Sequence, residues 1–347
     1  MIFSIIVPVC NGEKYIREAV DSALAQQVNS EDMFEIILSE NGSSDGTPAI
    51  CDEYAASNET VSVIHKGKIG LYQARQEGIK VSKGDYILAL DADDKLVPGM
   101  LHKLADSIRD YEKKGQTPKL IFYNATELGG ANKKLRDFSF ERGKLYSGED
   151  KIAFKELVLK GDYLNAMWIK CIHKSIALID IERIGLNYGE DLLQTAEYID
   201  RAEAIVYIDE ILYYYRRNEE SLTASYNRAF LDNQKIVWGE IDRIGEKWGL
   251  DDLVEIVDKR KSLTCAIAVA KIIYSGLSYK QKKSKLSELF SEDFYKRYFE
   301  ISLPDGAPEE DVHVHALMTA DCGKELYREA FVNTIKTAIK KTIAKAR

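Results

Sequence analysis

Over the first ninety residues the apolar positions fall in short blocks of two kinds. Phe3 to Cys10 is a run rich in β-branched residues and predicts a strand, which Asn11-Gly12 turns. Ile16, Ala19, Val20, Ala23 and Leu24 then repeat at helical spacing. Phe34 to Leu38 predicts a second strand. It runs into the polar stretch Ser39 to Thr47, where Thr47 and Pro48 form an N-cap and first-turn pair for a second helix. Val61 to Ile64 predicts a short third strand, Leu71 to Val81 a helix, and Tyr86 to Leu90 a fourth strand. Strands alternating with helices predict an α/β fold with a doubly wound, mostly parallel sheet flanked by helices. Its ligand crevice would lie at the carboxyl ends of the strands, at Cys10, Glu40 and Asp91.

Beyond Asp94, Val97, Leu101, Leu104, Ile108 and Tyr111 mark an amphipathic helix, and Lys119 to Tyr123 another strand. Gly129, Gly130 and Asn132 mark a turn in a hairpin or flap, and Lys151 to Lys160 reads as helix. Ile205 to Ile208 and Ile211 to Tyr215 predict two strands. From about Ala224 the pattern is almost wholly helical, interrupted at Leu303 to Pro308. The chain therefore divides at residues 1–222 and 223–347, the latter a C-terminal helical region. His313 and His315, alternating with valines, read as a local strand or loop.

Composition narrows the classes. The formal net charge of −8 argues against nucleic acid as a partner. Cys10, Cys51, Cys171, Cys265 and Cys322 are scattered without a C-x-x-C pair, which fits reduced, buried thiols in a cytoplasmic protein. Met1 to Ser4 runs straight into a strand, so no signal peptide is expected, and no apolar run reaches the roughly 20 residues of a spanning helix. The first turn lacks G-x-G-x-x-G, which argues against a nicotinamide enzyme.

The fourth strand carries the most informative chemistry. It ends in Asp91-Ala92-Asp93-Asp94, three carboxylates in four residues. Unpaired acids cannot continue a buried strand. They either bind a hard cation, Mg²⁺ or Mn²⁺, together with substrate phosphates, or cap the helix that starts near Pro98. A second acidic pair, Glu190-Asp191, follows Gly189.

Six motifs in this order resemble the family 2 glycosyltransferases of the GT-A fold. They are Val7 to Asn11, Gly42 to Thr47, Gly70 to Arg75, Gly84 to Ile87, Asp91 to Asp94 and Gly189 to Asp191. The resemblance covers residues 1–222. It implies inverting transfer of a sugar from a nucleoside diphosphate sugar, UDP-sugar favoured, to an acceptor hydroxyl in bacterial cell-surface polysaccharide or glycoconjugate assembly. It also implies donor contacts from Pro8, Val9, Glu40, Asn41, Arg75, Asp91, Ala92, Asp93 and Arg216. Metal contact would fall first to Asp93, with Asp91 and Asp94 beside it. Asp191 is the implied general base, and Trp168 and Glu190 the implied acceptor side. The sequence departs from the family pattern at Glu40-Asn41, where two aspartates are usual, and at Gln76, where asparagine is usual.

Each assignment has a plainer counterpart. Asn41-Gly42 also reads as an ordinary turn, Arg75 and Arg216 as surface arginines, Trp168 as core, and Glu190-Asp191 as favourable acids in a helix first turn. A nucleotidyltransferase on a similar fold and a non-catalytic sugar-nucleotide-binding protein are the rival functions. The former lacks the Gly-rich basic loop it would need after Cys10.

At the end of the chain, Val332, Ile335, Ile339 and Ile343 share a helical face, edged by Ala338 and Ala346. Lys336, Lys340, Lys341, Lys345 and Arg347 add positive charge. Residues 331–347 are therefore expected to contact an anionic membrane surface, at the inner face of the cytoplasmic membrane, where a lipid-linked glycan acceptor would reside. Packing on the preceding helices, or pairing in a homodimer, are the alternatives.

Overall fold

The computed structural model describes residues 1–179, 186, 188–217, 229–320 and 324–346, the last helix from residue 338 onward by its backbone alone. Two compact units result, Met1–Val158 with Asp162–Asn218, and Leu159–Gly161 with Glu219–Arg347. Ser221, Cys322, the 222/223 boundary and the side chains of Ala338, Ile339, Lys340, Lys341, Ile343, Lys345, Ala346 and Arg347 lie outside the described residues.

The first unit opens with β1 (Ile2–Val9), α1 (Ile16–Leu24), β2 (Met33–Asn41), α2 (Thr47–Ser57), β3 (Val61–Lys66), α3 (Leu71–Val81) and β4 (Tyr86–Ala89). β5 (Lys95–Leu96), α4 (Met100–Glu112), β6 (Leu120–Glu127), β7 (Leu145–Ser147) and α5 (Ile152–Lys160) follow. Then come β8 (Lys170–His173), α6 (Lys174–Ala177), α7 (Glu190–Arg201) and β9 (Ala204–Tyr215). One mixed sheet runs in the order β3-β2-β1-β4-β8-β6-β9-β5, with β7 on β9. Among the described strands β1, β2, β3, β4, β6 and β9 point one way, and β5, β7 and β8 oppose them. The carboxyl ends of β1, β2, β4 and β9 therefore share one end of the sheet. β1 is buried almost throughout, as expected of a central strand covered by helices on both faces.

The structure corrects four expectations in detail. β8, inserted antiparallel between β4 and β6, was not expected, because Met167 to Ile172 shows no alternation. The two strands expected at Ile205–Ile208 and Ile211–Tyr215 are one, β9, whose pairing with β6 shifts register around Asn124, so the polar Asp209-Glu210 lies within a strand. Thr47 opens α2, but its hydroxyl accepts from Gly12 N at 2.8 Å instead of capping its own helix. His313 and His315 lie in a helix, Glu309–Thr319, where Val314 is buried and Val312 exposed. Alternation over so short a stretch does not separate strand from helix.

The second unit is all helical where described: α8 (Ala229–Trp248), α9 (Val254–Ile273), α10 (Tyr279–Ser291), α11 (Asp293–Tyr298), α12 (Glu309–Thr319) and α13 (Lys324–Ala346). α9 is its spine. Cys265, Val269, Ile272 and Ile273 from α9 join Leu286, Tyr295, Val314, Leu326 and Ala330 in one core. α10 carries a full capping box, with Ser278 and Gln281 each satisfying the other's backbone N–H. Lys282 is buried there and donates to Ile273 O and Asn333 Oδ1. No described helix is long and apolar enough to cross a membrane.

Candidate active site

The loops after β1 and β2 interlock through side-chain oxygens that accept backbone N–H groups. Asn11, at φ +53, accepts from Ser44 N at 2.8 Å, and Glu13 from Gly46 N at 2.7 Å. Asp45 accepts from Thr47 N at 3.0 Å and Glu13 N at 3.2 Å. Glu40, buried, accepts from Ser43 N at 2.6 Å and faces His65 Nδ1 at 3.4 Å. Asn41 Oδ1 accepts from Ile69 N at 2.8 Å, which leaves the amide group as its donor to anything beyond. Gly42 lies at φ +69 with Lys68 N 2.6 Å from where a Cβ would stand, so only glycine fits this turn. Pro8 and Val9 are buried beside these loops. Burial would raise the carboxyls of Glu40 and Asp45, but the hydrogen bonds, chiefly from Ser43 and Thr47, outweigh it and both lie below their ordinary values.

The acid loop after β4 is arranged differently. α4 starts at Met100 behind Gly99 at φ +77, with no side-chain cap, so neither Asp91 nor Asp94 serves as its cap. Asp94 is buried, and both its oxygens are engaged: Oδ2 accepts from Tyr213 Oη at 2.8 Å and Oδ1 from Arg216 N at 2.6 Å. These two bonds tie the loop to β9 and to Arg216. Ala92 and Asp93 are half-buried at the loop's outer side, and the Asp91 side chain keeps 30% of its surface exposed while its inner oxygen is buried without a hydrogen bond. Burial, then the charge of Asp91, pushes Asp94 up to about 8, and burial pushes Asp91 up to about 6 against the pull of Arg75.

These acids fit a divalent cation. They repel one another, and one, Asp91, has a buried oxygen that makes no hydrogen bond and meets only the Arg75 charge at 3.9 Å. No group of three or more His, Cys, Asp or Glu side chains converges as a complete ligand set among the described residues. That composition suits a cation held by one or two carboxylates and completed by substrate phosphates and water.

Arg75 joins this loop to the second acidic pair. It lies on α3, 2% exposed, with Nη1 at 3.2 Å from Asp191 Oδ1 and Nη2 at 3.9 Å from Asp91 Oδ1. The guanidinium is buried and is not a surface group. It lies beneath two partly exposed carboxylates and faces both. Glu190 and Asp191 open α7 behind Gly189 at φ +80, so the plain reading of acids in a first turn is also correct. Asp191 keeps 36% of its side chain exposed, whereas Glu190 is buried and its carboxyl is raised, first by burial and then by Asp191.

Trp168 is half-buried and lies flat on two tyrosines of β9, with ring centroids 4.8 Å from Tyr213 and 5.5 Å from Tyr215 at interplanar angles of 11° and 20°. Arg216 is held to the acid loop, with Nε on Asp93 O at 2.7 Å, Nη2 on Glu18 at 2.9 Å and its guanidinium over the Tyr15 ring. Sequence reasoning missed Lys170. It is fully buried, donates to Asn165 O and Ala166 O at 3.0 and 2.6 Å, and fastens the turn that presents Trp168. Burial lowers its amine strongly against the opposing charge of Asp191. A lysine inside the apolar run Met167 to Ile172 was the available signal, since such a charge needs partners. Of the cysteines, Cys51, Cys171 and Cys265 are buried free thiols, and Cys10 is part-exposed.

Residues 4–158 match the family model described as glycosyl transferase family 2. The chain is similar to EpsH of Bacillus subtilis, 26% identical over 236 residues that cover 66% of this chain and 65% of that protein. It is also similar to the glycosyltransferase GlyG of Streptococcus pneumoniae, 29% identical over 64% of this chain and 72% of that one. The chain thus spans just under two thirds of EpsH. A solved structure of S. aureus TarS in complex with UDP-GlcNAc shares the fold, with TM-score 0.53 and 17% identity over 100% of this chain and 93% of that one. The fold they share is a mixed, mostly parallel GT-A sheet flanked by helices, with a helical C-terminal region.

Proposed function

We propose that the protein is an inverting, metal-dependent glycosyltransferase that moves a sugar from a UDP-sugar to an acceptor hydroxyl in bacterial cell-surface polysaccharide or glycoconjugate assembly. The catalytic domain is residues 1–222, and residues 223–347 form an appended helical region. One observation carries the reading: Arg75 brings the acid loop and Asp191 to a single buried cation. The donor side and the base side of an inverting site are thereby set against each other. The TarS complex with UDP-GlcNAc supports the choice of a UDP-sugar, and the similarity to the minor teichoic acid biosynthesis protein GgaA of B. subtilis, 28% identical over 41% of this chain, supports the cell-surface setting.

Asp191 takes the proton of the acceptor hydroxyl, whose oxygen attacks the anomeric carbon from the face opposite the departing diphosphate. Arg75 fixes the direction of that carboxylate from below. Trp168 offers its indole to the acceptor sugar, and the buried Glu190 borders the same pocket. Pro8, Val9, Glu40 and Asn41 border the base, and Ala92 lies beside the ribose. Arg216, through its hold on Asp93 O, keeps the acid loop against the diphosphate. Asp93 and Asp91 would hold Mn²⁺ or Mg²⁺, which stabilises the charge on the leaving diphosphate as a Lewis acid. Asp94 supports the loop they stand on.

The test is sugar transfer and UDP-sugar hydrolysis with Mn²⁺. Asp191→Asn should keep UDP affinity and lose about 10²–10⁴-fold in transfer. Asp93→Ala should abolish metal-dependent UDP binding. Transfer by Asp191→Asn at the wild-type rate, or full turnover in excess chelator, refutes the assignment.

For the chain end we propose contact with an anionic membrane surface through residues 331–347. Phe331 and Ile335 are 49% and 45% exposed on α13. Flotation with anionic liposomes at low salt should carry the full chain and lose it on truncation after Ala330. A homodimer through the same face would float with neither lipid and would instead show in the mass in solution.

A further inference from the structure

The loop Asp91–Asp94 is closed across its base by one hydroxyl from another strand. Tyr213, on β9, is fully buried, and its Oη accepts the N–H of Asp91 at 3.1 Å while donating to Asp94 Oδ2 at 2.8 Å. A phenol has one proton to give and lone pairs to receive, so both bonds form together. The two partners are the first and last residues of the loop. Ala92 and Asp93 bulge outward between them, and the turn is completed by Asp94 N on Asp91 O at 3.0 Å. The backbone of Tyr213 pairs with Leu96, immediately after the loop. The ring of the same residue carries Trp168, 4.8 Å away and 11° from parallel.

We propose that Tyr213 is a positioning residue for sugar transfer: its hydroxyl sets the acid loop, and its ring sets the Trp168 platform, so that one buried side chain fixes both halves of the site. The effect on donor binding rests on the function proposed above, whereas the effect on the loop does not. The two roles sit on different atoms and can be separated. Tyr213→Phe removes the hydroxyl and leaves the ring. Asp91 N–H and Asp94 Oδ2 then lose their partner in a buried setting, where an unmet hydrogen bond is costly. The loop opens more often while the stack on Trp168 persists. Trp168→Ala does the reverse.

Hydrogen–deuterium exchange of residues 90–97 and 166–170, with UDP titration calorimetry in Mn²⁺, tests this on the full chain. Tyr213→Phe should speed exchange in 90–97 by about tenfold, leave 166–170 unchanged, and weaken UDP by a similar factor, the equivalent of about 1.4 kcal/mol. Trp168→Ala should leave 90–97 as in the wild type. Unchanged exchange of 90–97 in Tyr213→Phe overturns the proposal. So does equal acceleration in Trp168→Ala, which would mean that the stack and not the hydroxyl holds the loop. A wild-type chain that binds no UDP in Mn²⁺ would remove the proposed function, and the exchange comparison would still decide the role of Tyr213.

Discussion

The loops after β1 and β2 and the loops around Asp91, Trp168 and Asp191 meet at one end of the sheet, yet opposite means hold them. On the first side, short side chains accept backbone N–H groups, and Gly12, Ser43, Ser44, Gly46, Thr47 and Ile69 are all met in this way. Glu40 and Asp45 there sit below their ordinary pKa, held by the hydrogen bonds they accept. On the second side, Asp91, Asp94 and Glu190 sit above theirs, and the side chains of Arg75 and Lys170 are buried, each within the field of Asp191. The first side is a finished scaffold. The second holds buried acids whose pKa values are raised, and perturbed acids of this kind cluster where chemistry is done.

The largest effect should come from the cation that both acids share. Arg75→Met leaves Asp191 and Asp91 without their buried partner, and breaking such a pair costs about 3–5 kcal/mol. The melting temperature should fall by several degrees and transfer should drop to background, with UDP affinity retained in the fraction that stays folded. Arg75→Lys should recover much of the stability and little of the transfer, because a point charge cannot face two carboxylates from different elements as a planar fork does. Loss of UDP affinity in Arg75→Lys at full stability would instead place this arginine on the nucleotide and dissolve the contrast drawn here.

The same contrast explains what the chain discloses on reading. The first side is legible because each strand, turn and helix from Ile2 to Ala89 is local, and its periodicity names it. The glycines and acids at the strand ends are legible as the places where strands stop, although each also reads as an ordinary turn or helix-start residue. The joining of the second side is not. β8 enters antiparallel after 42 intervening positions, 128 to 169 (Leu120–Glu127 to Lys170–His173), and no local pattern announces its neighbours. Arg75 reads as one polar residue on an amphipathic helix, although its burial is decided by Asp91 and Asp191, the latter 116 positions away. Tyr213 stands among three consecutive tyrosines, and only the register of β9 on β5 selects which one reaches the acid loop.

The smallest effect tests the finished side through its acid sensitivity. Asp45 accepts from Thr47 N and Glu13 N with separate oxygens, bracketing the start of α2. Its folded pKa is lowered, because the hydrogen bonds from Thr47 outweigh the cost of burial. A lowered folded pKa means that the native state binds the proton less readily than the unfolded chain. The stabilisation is therefore complete above the unfolded value of about 3.9 and is lost as pH falls through the folded value beneath it. Asn at this position keeps one carbonyl oxygen for Thr47 N but offers an amine where Glu13 N needs an acceptor. Asp45→Asn should cost about 1 kcal/mol at pH 7, the usual scale for losing a capping interaction. It should leave transfer at saturating donor unchanged, since Asp45 only holds the loop. Chemical denaturation from pH 7 down to pH 3 should show the two proteins converging at the acid end. A gap that stays constant with pH would mean that the charge of Asp45 contributes nothing and that its shape alone holds the turn.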